Sequence, residues 1–481
     1  MRPEESSVSI EEVKNEFVEL NELTALSPVD GRYAEKTKVL RPYFSEFALI
    51  KGRVEIEIEY LIAISEKGLV RKFTEEELVL LRNVYLRFKQ NDARKVKQVE
   101  TTTRHDVKSI EYFLKDKLKG TSVEDVLGMV HFALTSEDVT NLAQNMAIQR
   151  AKNEVLVPAG WKMVHALIDR AEEWKEIPML SRTHGREAPA TSLGKEVALP
   201  GHRLAKKLHR LNTANFHLIG KMTGVVGNLH DHKAAAPNID WQQFSIEFVE
   251  SLGLEPQLFT TQIEPHDRWA ELLHLIGEIM DIVEITDQNL WACLSHDYFF
   301  LRPRKGQIGS SVMPHKGRNP IDLENSEGNA IIASALCKKM AEKLPQSRFQ
   351  RHLSDSTIAR NFGVTFAYAL LALENAASDI RDLEPKTDAI KADLEHRWSV
   401  ITSGIQTRLR LLGVANPYEL FDALAKEGPI TKDRLHGFVD ALDISLEEKN
   451  RFKSWTPENY LGDAVELTEQ MCREARMLDQ K

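Results

Sequence analysis

Cysteine is nearly missing from this chain. Its three thiols, Cys293, Cys337 and Cys472, are widely spaced and form no C-x-x-C pair, which excludes a disulfide framework and a zinc knuckle and points to a reducing compartment. Long apolar runs are missing too. The longest uncharged one, FGVTFAYALLAL at 362–373, falls short of the roughly 20 residues that a bilayer-spanning helix takes, so no span is expected. Positive charge is not in excess either: 63 Lys and Arg stand against 72 Asp and Glu, a formal net charge of −9. That is the opposite of the clustered basic field that phosphate-backbone binding needs, and no nucleic-acid partner is expected. The first twenty residues hold six glutamates, unlike a secretory leader or a transit peptide, and MLDQK at the end is no peroxisomal address. A cytoplasmic location is the expectation. Neither G-x-G-x-x-G nor a Walker loop occurs.

What the chain has in quantity is helical periodicity. Trp269, Leu272, Leu273, Ile276, Ile279, Met280, Val283 and Leu290 recur at helical spacing within a proline-free stretch from His266 to Arg302, and proline is what would break it. Similar proline-free stretches run over 321–344 and 346–384. The patterns through Leu142, Met146 and Val155, and through Leu193, Val197, Leu204, Leu208 and Leu211, contain Pro158 and Pro200 and are expected to kink. Alternating β-type runs are scarce, KMTGVVGNL at 221–229 being the best short one. The pattern predicts an all-α protein built on a bundle of long helices. We divide it into an N-terminal helical domain (1–128), a central long-helix bundle (129–384) and a C-terminal helical domain (385–481), the second boundary lying at the proline of DLEPKTD.

Few polar clusters interrupt this background. HDH at 230–232 offers His230 and His232 but no third ligand at a usual spacing, so no metal is expected. His165 and His209 fall in helical stretches. SRTHGREAP at 181–189 reads by composition as a turn between helices, with His184 solvated or capping. GSSVMPHKGRNP at 309–320 has the Gly, Ser, Pro and Asn of an ordinary surface turn. It joins two helices too long to need so elaborate a linker, however, and function concentrates on loops carried by rigid scaffolds.

GSSVMPHKGRNP resembles the S-S-x-M-P-x-K-x-N signature of the fumarase and aspartase superfamily, whose members eliminate fumarate from succinyl-type substrates. The signature does not choose among them. SPVDGRY (27–33), TTTRHDVKSIEYFL (101–114), HFALTSEDVTNL (131–142), SRTHG (181–185), TTQIEPHD (260–267) and RFQRHLSDSTIARNFG (348–363) together resemble, in order and over most of the chain, the adenylosuccinate lyase family of the longer bacterial type. The resemblance implies a three-domain all-α fumarase/aspartase-like subunit and a homotetramer whose active sites are each assembled from three subunits. It also implies release of fumarate from adenylosuccinate, giving AMP, and from succinylaminoimidazole carboxamide ribotide, without metal or organic cofactor.

Such an elimination removes a weakly acidic proton beside a carboxylate while an amine leaves the neighbouring carbon. The site must therefore hold positive charge and donors ready for the dianion, and an acid for the nitrogen. By resemblance Ser310 is the general base and His184 the general acid. A serine hydroxyl is basic enough only where its anion is stabilised; Lys316 and the amides around Ser310 and Ser311 are the suppliers, on a loop expected to act as a lid. An imidazole with a pKa of about 6.5 delivers a proton at neutral pH. The family pattern assigns the nucleotide end to Arg32, Tyr33, Arg351, Ser356 and Arg360, and the succinyl end to Thr135, Ser136, Lys316 and Asn319. His105 and Gln262 complete the pocket, with Arg104, Asp106, Ser311 and Asn325 as further substrate-binding candidates. Two features depart from the pattern. KGRN separates Lys316 from Asn319 by one residue more than the signature does, and THGRE places Arg186 where the family usually has an amide, either as a new anion contact or turned away. The rival readings are a sister lyase such as argininosuccinate lyase, which the nucleotide-end motifs disfavour, and a catalytically silent helical homologue, which the retained Ser310 and His184 disfavour.

Overall fold

The computed structural model describes residues 20–213, 216–306, 312–313 and 317–480. Helices form where the apolar positions recur. Those that bear on function are α1 (Glu46–Glu66), α2 (Asp106–Leu118), α3 (Ser136–Ala151), α4 (Val157–Glu173), α5 (Leu193–Asn212), α6 (Asp267–Ser295), α7 (Ile321–Lys343), α8 (Ser354–Ala359) and α9 (Phe362–Asp382). At 29 residues, α6 is about 44 Å long, and the apolar positions that predict it, Trp269 to Leu290, are all buried. Shorter helices fill the chain from Thr387 to Asp479. The described strands are short and paired in twos: β1 (Pro178–Thr183) with β2 (Arg186–Ser192), antiparallel; β3 (Ile219–Gly220) with β4 (Glu255–Pro256), parallel; β5 (Phe299–Leu301) with β6 (Leu383–Pro385), antiparallel. No helix among the described residues is long and apolar enough to cross a membrane.

Four local expectations change. The break at Pro158 takes the form of a π turn over Lys152–Leu156, where the Val157 N–H reaches back to the Lys152 carbonyl, and the chain stays helical into α4; a π turn commonly absorbs such a fault. The stretch 346–384 is not one helix: residues 346–353 are loop and turn, with Phe349 at φ 49°, and a turn at 360–361 then separates α8 from α9. KMTGVVGNL is not a strand. Gly224 and Gly227 sit at φ 80° and 78°, and the Thr223 and Gly224 N–H groups donate to the Asp138 carboxylate at 3.0 and 3.2 Å instead of to a neighbouring strand. SRTHGREAP, expected to link helices, is the tip of the β1–β2 hairpin.

The chain divides into two compact units: the described residues up to 158 with 211–280 and 329–371, and residues 159–210 and 281–328 with those from 372 onward. The first has an aromatic core. Tyr60 meets Phe244 and Phe248 edge-on, and Trp269 meets Phe362. Gly363 lets the start of α9 approach closely, since a Cβ there would lie 2.6 Å from that of Phe44. In the second unit the hairpin contributes Leu180 and Ala190 to a cluster with Ile401, Ile405, Leu409, Leu435 and Phe452 from the C-terminal helices.

Candidate active site

The first unit contains a cavity of about 460 Å³. Four separate stretches meet in it: His105 and Asp106 at the start of α2, Thr135 and Ser136 at the start of α3, Gln262 from the segment before α6, and Arg351, Ser356 and Arg360 on and beside α8. Local chemistry aims each of them. His105 caps α2, its Nδ1 accepting the Lys108 N–H at 3.1 Å, so in the neutral ring the proton is on Nε2. Thr135 caps α3, and its own N–H donates to Asp138 at 2.9 Å. Asp138, 1% exposed, also pairs with the fully buried Lys221 at 2.8 Å. That buried pair ties the mouth of α3 to the 221–224 turn.

Two helix N-termini and three arginines therefore face one space, a setting that favours anions. Arg53 is 3% exposed and reaches Asp106 at 2.7 Å. Burial raises the Asp106 carboxyl, but Arg53 and the Val107 N–H outweigh it and hold Asp106 below its ordinary value. Arg351 pairs with Glu137 at 2.9 Å; burial pushes Glu137 up despite that guanidinium. Arg360 donates to the Ser356 hydroxyl at 2.8 Å. The arrangement can bind a small molecule with several negative charges, and among the described residues no group of three His, Cys, Asp or Glu is placed to hold a metal.

The second unit holds the two motifs that stood out from the helices. His184 and Gly185 form the two-residue turn of the hairpin, at φ 54° and 72°, the positive pair that a type I′ turn requires. The imidazole is exposed at the tip. Just behind the turn, Arg182 donates to Asp393 at 2.7 Å and to the Tyr298 hydroxyl at 2.9 Å. Burial, with the hydrogen bond to Asp393, pushes that phenol up to about 12. In the other motif, Arg318 is buried against Asp379 and Asp382, and Arg304 pairs with Asp382 at 2.6 Å and Asp322 at 3.0 Å. Both flanks of the 305–317 segment thus end on the same carboxylates.

Comparison with known proteins decides among the lyases. A lyase family model matches residues 31–333, and a model of the adenylosuccinate lyase C-terminal region matches residues 347–461. The chain is 40% identical to adenylosuccinate lyase of Escherichia coli K12 over 458 residues, 94% of this chain and 100% of that protein. It is 41% identical to the Dictyostelium discoideum enzyme of the same name over 457 residues, 92% and 98%. This chain belongs to the adenylosuccinate lyase family. Among solved structures, 3-carboxy-cis,cis-muconate lactonizing enzyme from Pseudomonas putida matches with a TM-score of 0.73 at 18% identity over 92% of this chain and 98% of that one. Fumarate lyase from Mesorhizobium sp. BNC1 matches with a TM-score of 0.73 at 16% over 91% and 97%. At such identities they establish the fold alone, the all-α fumarase/aspartase-like one.

Within this adenylosuccinate lyase family member, eight of the residues named from sequence line one cavity: His105, Asp106, Thr135, Ser136, Gln262, Arg351, Ser356 and Arg360. Others stand elsewhere. Arg32 lines a different cavity of about 720 Å³ with Asp30 and Arg41, and Tyr33 precedes the short helix Ala34–Thr37. Arg104 is exposed, with φ 51° at the end of the helix before α2. Asn319 and Asn325 are in the second unit with His184, and Asn325 accepts from Asn375 at 2.5 Å. Ser310, Ser311 and Lys316, with the expected lid, lie outside the described residues. Arg186 is exposed on β2. Sequence reading missed Arg53, Glu137 and Thr140 of the cavity wall. Arg53 did carry a signal, a cation three residues after the buried Ile50 and just before the buried Val54, on the apolar side of α1.

Proposed function

We propose that this protein catalyses β-elimination of fumarate from adenylosuccinate, giving AMP, and from succinylaminoimidazole carboxamide ribotide, giving the free carboxamide. The observation that carries the reading is the convergence of four family motifs on one cationic cavity of the first unit. The start of α3 with Thr135 and Ser136 suits a succinyl carboxylate, and Arg351, Ser356 and Arg360 suit the nucleotide phosphate, since guanidinium forks match both anions. His184 protonates the leaving nitrogen. Ser310, its anion supported by Lys316, takes the proton from carbon, and no metal or organic cofactor enters.

In this reading His184, Ser310 and the cavity are brought to one substrate by three different subunits of a homotetramer, each subunit having the three-domain division 1–128, 129–384 and 385–481. Apolar side chains exposed on the long helices, Ile285 and Trp291 on α6 and Ile331 and Ile332 on α7, support assembly, because exposed apolar patches mark contact surfaces. Purified protein given adenylosuccinate, the carboxamide ribotide and argininosuccinate in turn, followed by ultraviolet absorbance, tests the assignment. Fumarate released from argininosuccinate but not from adenylosuccinate overturns it.

A further inference from the structure

His266 does not line the cavity, yet it sits directly behind it. It is 1% exposed and held at φ 65° at the N-terminal edge of α6, a left-handed backbone that a non-glycine residue keeps only where its surroundings impose it. Its ring lies flat on Trp269, centroids 4.2 Å apart and planes within 2°. Trp269 is itself fixed by a 2.6 Å hydrogen bond from its Nε1 to Asn145. A carboxylate stands at each edge of the imidazole: Glu264 Oε2 is 3.3 Å from Nδ1, and Asp355 Oδ2 is 3.7 Å from Nε2. The same Glu264 oxygen accepts the His266 backbone N–H at 2.8 Å, so one group holds the chain and sets a carboxylate beside the ring.

Asp355 precedes Ser356 on α8, and Glu137 on α3 holds Arg351. Glu137, Glu264 and Asp355 are all buried, and Arg351 acts on both Glu137 and Asp355. Without a charge on the ring, Arg351 would be drawn to Asp355 as well as to Glu137 and would have less to offer an anionic ligand, for a buried charge is tolerated only when paired. Burial disfavours the charged ring, but Asp355 and Glu264 outweigh it and raise His266 to about 9. The groups facing the ring and its partners are thus Glu264 from the segment before α6, Asp355 and Arg351 from α8 and its approach, and Glu137 from α3, with Lys221 acting on Glu137 from farther off.

We infer that His266 is a positioning residue of this cavity: as a buried imidazolium between Glu264 and Asp355 it neutralises the carboxylates beneath Arg351 and leaves that guanidinium to the anionic substrate. The inference rests on the proposed reaction and names a residue that acts on it without touching the substrate.

Steady-state fumarate release by the assembled protein tests it, with the wild type in the same assay. A wild type that releases no fumarate sinks the reaction assignment, while the variants test only the inference. His266→Gln keeps a hydrogen-bonding group and loses the charge; it raises KM about tenfold or more with kcat within about threefold, the split of a lost binding contribution. The double variant His266→Gln/Asp355→Asn removes the excess carboxylate and brings KM back to within about threefold of wild type, a recovery that a packing role would not produce. Unchanged KM in the single variant, or a raised KM that Asp355→Asn does not recover, overturns the inference. If His266→Gln does not fold, the wild type decides: KM constant from about pH 7 to 8.5 and rising toward tenfold per unit above about 9 supports the charge, and KM flat to about pH 10 overturns it.

Discussion

An exposed imidazole at a hairpin tip contributes nothing to the core, so its removal separates chemistry from folding. His184→Gln lowers kcat by about 10²–10⁴, the range for a lost general acid, with the thermal midpoint unchanged. Ser310→Ala does the same by removing the base. Either variant turning over at the wild-type rate refutes the role given to that residue. The cavity arginines differ in kind, because Arg53 and Arg351 are already paired with Asp106 and Glu137. Their charge is shared between the fold and the ligand. This is why His266, in the TTQIEPHD motif from which sequence reading took only Gln262, acquires a function only once Asp355 and Glu264 are seen on either side of it.

In the proposed reaction two motifs of the second unit carry the chemistry, and a local device stands beside each. The β1–β2 turn needs positive φ at both central positions, and a Cβ added at Gly185, where φ is 72°, would meet nothing within 4 Å. Gly185→Ala therefore acts through backbone strain alone; it costs about 1–2 kcal/mol at the turn and lowers kcat by displacing His184, which thermal melts and turnover read separately. The other device is the Arg318 clasp. Arg318 and Asp379 are 3% and 0% exposed, so Arg318→Met leaves the buried carboxylate with only the more distant Arg304, at 3.9 Å, and destabilises the protein by about 3 kcal/mol at pH 8. Burial raises the Asp379 carboxyl to about 6 even with Arg318 opposing it. The ionised form is thus the costly one in the fold, and without Arg318 the carboxyl takes up its proton at still higher pH, which relieves the variant before the wild type as pH falls. The gap in thermal midpoint between variant and wild type narrows from pH 8 to pH 5.5, and a gap that widens sinks this account. KGRN departs from the family signature, and the clasp is where its arginine goes.

At the scale of the whole molecule, the proposed reaction requires that the cavity, the hairpin and the Ser310 motif make one catalytic site only in an assembly. Light scattering is expected to give a mass about four times that of the 54.7 kDa chain, and Ile331→Glu with Ile332→Glu, charges placed on an exposed apolar face of α7, lowers that mass and abolishes turnover together. Activity retained by a dissociated chain would refute the shared site. The sequence by itself determined the helices, because a period of 3.6 apolar residues and the absence of proline are local properties: α6 and α7 follow the stretches that predict them, and the motifs identify the family. It also named eight of the residues lining the cavity. Tertiary structure alone decided that SRTHG is a hairpin and not a helix link, since strand pairing joins 178–183 to 186–192 and then to C-terminal helices some two hundred residues away. It decided that Arg32 lines a different cavity, and that Arg53, Glu137 and His266 stand against the anion-binding groups. The reason is physical: a helix is made by neighbours along the chain, whereas the charge at a site is a sum over groups that the chain brings together from far apart, and no local pattern records that sum.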